Sequence, residues 1–349
     1  MNRRNFNQLL VIGAAVTAVC PTYASSRLAH VRPLIKPPLL KPGGLIGLIA
    51  PSGVLDDAAI ETRVRSFEAM GFRVKTSKNI RAKMGGYAGT VNERVEDLHA
   101  MFADREVNAI FAARGGSGAS AMLPHIDYGL IRRHPKIFVG FSDITALHLA
   151  IYRHAGLVTF HGPTAGSTFS DYTLTQLEAV LMRPRNETTI YMYRNEINPV
   201  AGAAGNEIRV IHPGVAEGRL VGGNLAIVTA LIGTPYAATL RDHLLFFEDV
   251  NEAPYRIDRM LHQLNQSEGL RHAKGVMIGS ITKAENKDNE PSLTMAEVLD
   301  GHFAKLPIPT VAGFSFGHMS RQFTIPIGVR ARLDTEEQTL TLLEPAVTG

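Results

Sequence analysis

Gly140-Phe141-Ser142-Asp143 stands where an apolar run, Lys136 to Phe141, hands over to a helical stretch, Asp143 to His154. A sharp strand-to-helix turn exposes a serine hydroxyl and aims backbone N–H groups past it. The helix N-terminus that follows favours negative charge, which suits a developing oxyanion. The nucleophile elbow of hydrolases has a second glycine two residues after the serine; here that position is Ile144. Serine is also a common helix cap, so spacing alone leaves both roles open for Ser142. Glu248 ends the apolar run His243 to Phe247, at the strand edge where ligands of open α/β sheets gather. It also reads as a solvated strand-end acid, with Asp249 capping the next helix. His318 closes the glycine-bracketed turn Gly313-Phe314-Ser315-Phe316-Gly317-His318 and is one of 13 histidines. The chain order Ser…Glu…His permits a triad, because triads are defined by geometry and roles.

Arg114-Gly115-Gly116-Ser117-Gly118 follows another apolar run, Ala109 to Ala113. Such a loop can cradle a phosphate or lend an N–H to an oxyanion. It lacks the Lys-Ser/Thr ending of a P-loop and the spacing of a dinucleotide fingerprint, and a tight turn is the simpler reading. There is no His-Glu-x-x-His, no paired cysteine and no EF-hand spacing, so neither a metal nor a cofactor is expected. Cys20 is the single cysteine. If it is removed with a leader, thiol nucleophiles, disulfides and thiolate metal sites go with it, and nucleophilic catalysis must use an oxygen or nitrogen group.

The elements that must position these residues alternate. Leu45 to Ala50 reads as a buried strand ended by Pro51-Ser52-Gly53, and Asp57 to Met70 as a helix stopped by Gly71. Phe72 to Val74 is a short strand, Val91 to Phe102 a helix, and the runs before the Arg114 loop and Ser142 are further strands. Strands alternating with helices predict a parallel sheet covered on both faces. From Gly166 to about Asn206 the pattern weakens, as at a crossing to a second unit. There Leu225 to Ile232 and Tyr255 to Leu264 read as helices, and Gly275 to Ile281 and Thr310 to Phe314 as strands. Arg330 to Leu333 and Thr339 to Leu343 read as a closing antiparallel pair. The division expected is 1–24 a leader, 25–42 a proline-rich linker or arm, 43–165 an α/β domain with the nucleophile, 166–205 a crossing, and 206–345 a β/α domain with the glutamate and histidine.

The formal charge of +4 includes Arg3 and Arg4, and no clustered basic run follows, so no nucleic-acid partner is expected. Those arginines precede the apolar stretch Leu9 to Cys20, too short to span a bilayer, and Thr22-Tyr23-Ala24 offers small residues for cleavage. This reads as a signal peptide lost after Ala24, giving a periplasmic or secreted protein with no stable membrane insertion. Arg3-Arg4-Asn5-Phe6 resembles a twin-arginine signal, and an ordinary secretory signal is the alternative.

Seven motifs in order resemble the L,D-carboxypeptidase family of serine peptidases over about residues 42 to 335. They are Pro51-Ser52-Gly53, Gly86-Tyr87-Ala88-Gly89-Thr90, Arg114-Gly115-Gly116, Gly140 to Leu147, Gly222-Gly223-Asn224-Leu225, Glu248-Asp249 before Pro254 to Arg259, and Gly313 to His318. The resemblance implies Ser142 as nucleophile, Glu248 as the acid and His318 as the base. It implies an oxyanion hole from the Asp143 N–H and an N–H of the Arg114 loop, Gly116. It also implies an N-terminal parallel-sheet α/β sandwich, a C-terminal swivelling β/α domain, an active site at the domain cleft, and often a homodimer. The activity implied is release of the terminal D-alanine from a murein tetrapeptide, a murein peptide being the partner. Arg114, with Gly115 beside it, is a candidate for the substrate carboxylate, or braces the turn. Two other readings stand against this one. A branch of the family cleaves microcin C-type aspartyl-nucleotides, for which the absence of tryptophan and the export signal are unfavourable. A periplasmic binding protein would have two lobes, a cleft and a leader but need no triad.

Overall fold

The computed structural model describes residues 33–193, 208–267, 269–284 and 291–349. The expected leader therefore lies outside the described residues, as do the start of the arm and the end of the 166–205 crossing.

Five strands open the first sheet: β1 (Leu45–Ile49), β2 (Arg73–Thr76), β3 (Val107–Ala112), β4 (Ile137–Gly140) and β5 (Phe160–His161). They run parallel in the order β5-β4-β3-β1-β2. The helices between them are α1 (Asp57–Ala69), α2 (Val91–Ala103), α3 (Tyr128–Arg133) and α4 (Thr145–Ala155), and α5 (Asp171–Leu181) follows. Each start has a local cause. Asp56 accepts from the Ala59 N–H at the head of α1, and Thr90 with Glu93 forms a capping box on α2.

Every residue of β1 is buried. Because successive side chains point to opposite faces, Leu45 and Ile49 join one core with Leu98, Met101 and Phe102 of α2, while Ile46 and Leu48 join another with Ile60 and Phe67 of α1. Phe67 meets Phe111 of β3 edge-on, with ring centroids 4.8 Å apart. Each such fully buried side chain contributes about 1.5–3 kcal/mol relative to exposure. A parallel sheet covered on both faces is thus what the near-continuous apolar runs encode.

The second sheet is mixed. Its strands are β6 (Thr188–Tyr191), β7 (Arg209–His212), β8 (Val215–Asn224), β9 (His243–Val250), β10 (Gly275–Thr282) and β11 (Thr310–Ala312), joined later by β13 (Arg330–Asp334) and β14 (Thr339–Leu342). The order is β6-β14-β13-β8-β9-β10-β11-β7, with β8 to β11 parallel and the flanking strands antiparallel. Its helices are α6 (Leu225–Ala230), α7 (Pro254–Ser267) and α8 (Met295–Phe303). Between β11 and β13, β12 (Ile325–Pro326) returns to pair antiparallel with β5 of the first sheet.

Two stretches are more ordered than the sequence suggests. Within 166–205, α5 is capped by Ser170 and buries Thr173, Leu177, Val180 and Leu181, and β6 pairs with β14. In the arm, Ile35 bridges to Leu157, Lys36 reaches Glu344 at 2.7 Å, and Leu40 is buried, so residues 33–42 lie along the body. Among the described residues no helix is long and apolar enough to cross a membrane.

Candidate active site

Ser142 follows β4 at φ 64, in the left-handed region that residues other than glycine rarely adopt. Holding a serine there costs on the order of 1–2 kcal/mol, and such strain concentrates at functional sites. The residue starts a 3₁₀ turn, Ser142–Ile144, that runs into α4, and its side chain caps neither segment. The capping role is therefore not the one realised. Ile144 takes the place of the missing second glycine: a methyl group added at Gly140 would stand 3.0 Å from its side chain, so glycine lies before the serine where Ile144 needs the room.

The loop after β3 closes over the serine. A Cβ at Gly115 would fall 2.8 Å from Ser142 Cβ and 3.0 Å from Oγ, so only glycine lets the two backbones approach this closely. The N–H groups of Asp143 and Gly116 donate to no acceptor among the described residues. The Asp143 carboxylate, in contrast, is committed. Oδ2 accepts from Ser52 Oγ at 2.5 Å and from the Ala119 N–H at 2.9 Å, tying the turn to the loops after β1 and β3. Buried Arg94 completes this brace by donating to the carbonyls of Pro51 and Gly118 at 2.8 and 2.9 Å. Arg114 is exposed and donates through Nε to the Gly115 carbonyl and through Nη1 to that of Val54, so it does brace the turn. Its Nη2 makes no hydrogen bond among the described residues.

Glu248 lies near the C-terminal end of β9, opposite Asn224 at the end of β8, and is fully buried. That rules out a solvated strand-end acid. Its Oε2 is 2.6 Å from Nδ1 of His318, and Oε1 has no partner among the described residues. A carboxylate at this oxygen can only accept, which fixes Nδ1–H as the donor so that Nε2 is the nitrogen free to take a proton. Gly317, at φ 97, makes this possible; a side chain there would run 2.6 Å from Glu248 Cβ. Asp249 does not cap the helix after it. It reaches back to the head of α6, accepting from the Ala226 N–H at 2.9 Å and Asn224 Nδ2 at 3.1 Å. Burial, chiefly, pushes its carboxyl up to about 6.

The two halves meet at Phe141. Its ring contacts the His318 ring edge-on at 4.9 Å, which brings the imidazole beside the residue that precedes Ser142. Ser142 Oγ makes no hydrogen bond among the described residues, and catalytic hydrogen bonds often tighten only when substrate binds. Beneath this contact lie two histidines that sequence reasoning missed. His161 is fully buried among Phe141, Phe246 and Phe316, with neither ring nitrogen bonded among the described residues. Burial holds it well below the usual histidine range. His148 on α4 bonds the Gly140 carbonyl through Nε2 at 2.8 Å, and burial lowers it to about 4. Ser52 was visible as part of a motif; Arg94, His148 and His161 carried no pattern that marked them.

The chain as a whole is similar to known proteins. The model of the LD-carboxypeptidase N-terminal domain matches residues 46–162, and that of the LD-carboxypeptidase C-terminal domain residues 217–333. A probable murein peptide carboxypeptidase of Bacillus subtilis (strain 168) is 38% identical over 307 residues, covering 88% of this chain and 94% of its own. The crystal structure of an MccF-like protein from Bacillus anthracis str. Ames, 30% identical, superposes with a TM-score of 0.77 over 89% of this chain and 99% of that one. That of a muramoyltetrapeptide carboxypeptidase from Oxalobacter formigenes, 28% identical, gives 0.72 over 85% and 97%.

Proposed function

The chain belongs to the LD-carboxypeptidase family, and from that premise we propose that it is a serine peptidase that removes the terminal D-alanine from murein tetrapeptides. The observation that carries the serine mechanism is the pair of buried Glu248 and half-buried His318 at 2.6 Å, packed through Phe141 onto the strained turn that presents Ser142. In this reading Ser142 Oγ attacks the carbonyl of the residue before the D-alanine, and His318 Nε2 takes its proton. Glu248 stabilises the resulting imidazolium, as the acid of a triad does. The N–H groups of Asp143 and Gly116 hold the oxyanion. His318 then protonates the departing amine, D-alanine leaves, and water releases the tripeptide from Ser142 by the same steps.

A carboxypeptidase must recognise a free terminal carboxylate, and the uncommitted Nη2 of Arg114, beside the oxyanion loop, supplies a donor for it. With a leader removed after Ala24, the enzyme would trim wall peptides in the periplasm rather than recycle them in the cytoplasm.

The test is a matched pair of synthetic tetrapeptides ending in D-Ala or L-Ala, with Ser142→Ala as the control. Release of D-alanine alone, lost on the order of a million-fold in Ser142→Ala, is expected. Equal cleavage of both peptides, cleavage only of an aminoacyl-nucleotide, or retention of most activity in Ser142→Ala would overturn the proposal. A binding protein would bind peptide without cleaving it, and Ser142→Ala would change nothing.

A further inference from the structure

We propose that Asp258, His262 and His302 form a binding site for one divalent transition-metal ion of the zinc class, joining α7 to α8. Asp258 and His262 stand four residues apart on α7, a spacing that puts both side chains on one face. His302 comes from the last turn of α8. Its Nε2 is 2.8 Å from Asp258 Oδ1, and Nε2 of His262 is 3.6 Å from the same oxygen. The two imidazole rings lie 4.5 Å apart, and one ligand atom from each of the three residues falls within 4.8 Å of the others.

These separations bracket what a metal needs. Zinc binds nitrogen and oxygen at about 2.0–2.2 Å, so tetrahedral ligand atoms stand roughly 3.3 Å from one another. Bringing the three groups onto one ion therefore takes changes of no more than about 1.5 Å in their separations, within the reach of side-chain rotation. Two imidazoles with one carboxylate suit zinc, nickel or copper, and do not suit magnesium or calcium, which take oxygen. The set is also graded in exposure. The His302 side chain is 6% exposed, Asp258 34% and His262 59%, so the ion would enter past His262 and leave a coordination position facing solvent. Binding requires His302 to move its proton from Nε2 to Nδ1, replacing the hydrogen bond to Asp258 with metal coordination to both. The sequence conceals the site because His302 is 40 residues from His262, outside any local metal motif. None of its residues belongs to the candidate triad.

The experiment is zinc titration of chelator-treated full chain without a histidine tag, by calorimetry, with bound metal counted by mass spectrometry. One zinc ion per chain is expected, with a matching rise in Tm. His262→Ala removes an exposed ligand without disturbing packing and should weaken binding about tenfold or more, as should Asp258→Asn. His125→Ala, at an exposed histidine elsewhere, should leave it unchanged. No saturable binding, or binding equally strong in His262→Ala and His125→Ala, would overturn the assignment.

Discussion

Gly115→Ala isolates the alignment of the proposed nucleophile, Ser142, from the stability of the fold. The new methyl carbon would start 2.8 Å from Ser142 Cβ and 3.0 Å from Oγ, whereas carbon atoms rest at about 3.5–4.0 Å. Relief therefore requires the serine turn or the loop to give by roughly 0.7–1 Å. Gly115 does not have positive φ, so alanine adds no backbone strain of its own. Ser142 cannot retreat far, because the turn is held by the Asp143 bonds to Ser52 and Ala119. A misplacement of about 1 Å can cost on the order of a hundredfold, close to 2.7 kcal/mol in the barrier. The assay is D-alanine release from the tetrapeptide, run beside thermal unfolding, with Gly86→Ala as the control because a Cβ there meets nothing within 4 Å. We expect kcat to fall about a hundredfold in Gly115→Ala while Tm drops only a few degrees and Gly86→Ala behaves as wild type. Turnover within threefold of wild type would refute the reasoning, since it would mean that the loop yields without moving the serine.

Two further predictions concern strain and protonation. Ser142→Gly should be inactive yet at least as stable as wild type, because glycine relieves about 1–2 kcal/mol of left-handed strain and gives back about 0.5–1 kcal/mol in chain entropy; a loss of more than 1 kcal/mol in urea unfolding would count against a strained turn. His148 is neutral in the fold at about 4 against about 6.5 unfolded, so its contribution is intact above pH 6.5 and is lost as pH falls toward 4. Between pH 7.5 and 5, His148→Gln, which keeps a donor for the Gly140 carbonyl but does not titrate, should lose about 2 kcal/mol less stability than wild type, and parallel losses would reject the assignment.

Much of the fold was legible because apolar runs and helix caps report burial directly. β1, β3, β4 and β9 stand within a few residues of where their sequences predict them. α5 was missed although Ser170 caps it, because its buried face includes Thr173, which breaks the apolar spacing. β5 and β12 are two residues each and exist because they pair at one edge of the first sheet, a contact across the chain. The proposed triad was a different matter. Spacing left Ser142 divided between cap and nucleophile and Glu248 between ligand edge and solvent, and only the ordered motifs joined them to His318. What sequence does not carry is contact across the chain, such as the 70 residues between Glu248 and His318 or the 91 between Ser52 and Asp143.

That long-range assembly raises the question of what sets the distance between a serine on one sheet and an acid–base pair on the other. Loops alone would leave it to thermal motion, and a nucleophile needs its base within about 3 Å during the reaction. Asn224 supplies the rigid link. Its N–H donates to Thr145 Oγ1 at 3.0 Å, three residues past Ser142. Its Oδ1 accepts from the Ile227 N–H at 3.2 Å, capping α6, and its Nδ2 donates to Asp249, the neighbour of Glu248. One buried side chain and its own N–H thus connect the first turn of α4, the end of β8, the head of α6 and the end of β9. Gly223 lets β8 and the head of α4 come this close, since a Cβ there would stand 2.6 Å from the Thr145 side chain. Of these bonds the one to Thr145 crosses from the second sheet to the first; it is buried, where an unmet donor or acceptor costs about 1–3 kcal/mol, and the bonds to Ile227 and Asp249 hold Asn224 in place to make it. Through Thr145 and Asp249, Asn224 thus ties the helix that follows Ser142 to the strand end that carries Glu248, and the Phe141–His318 contact brings the two loops together above that tie.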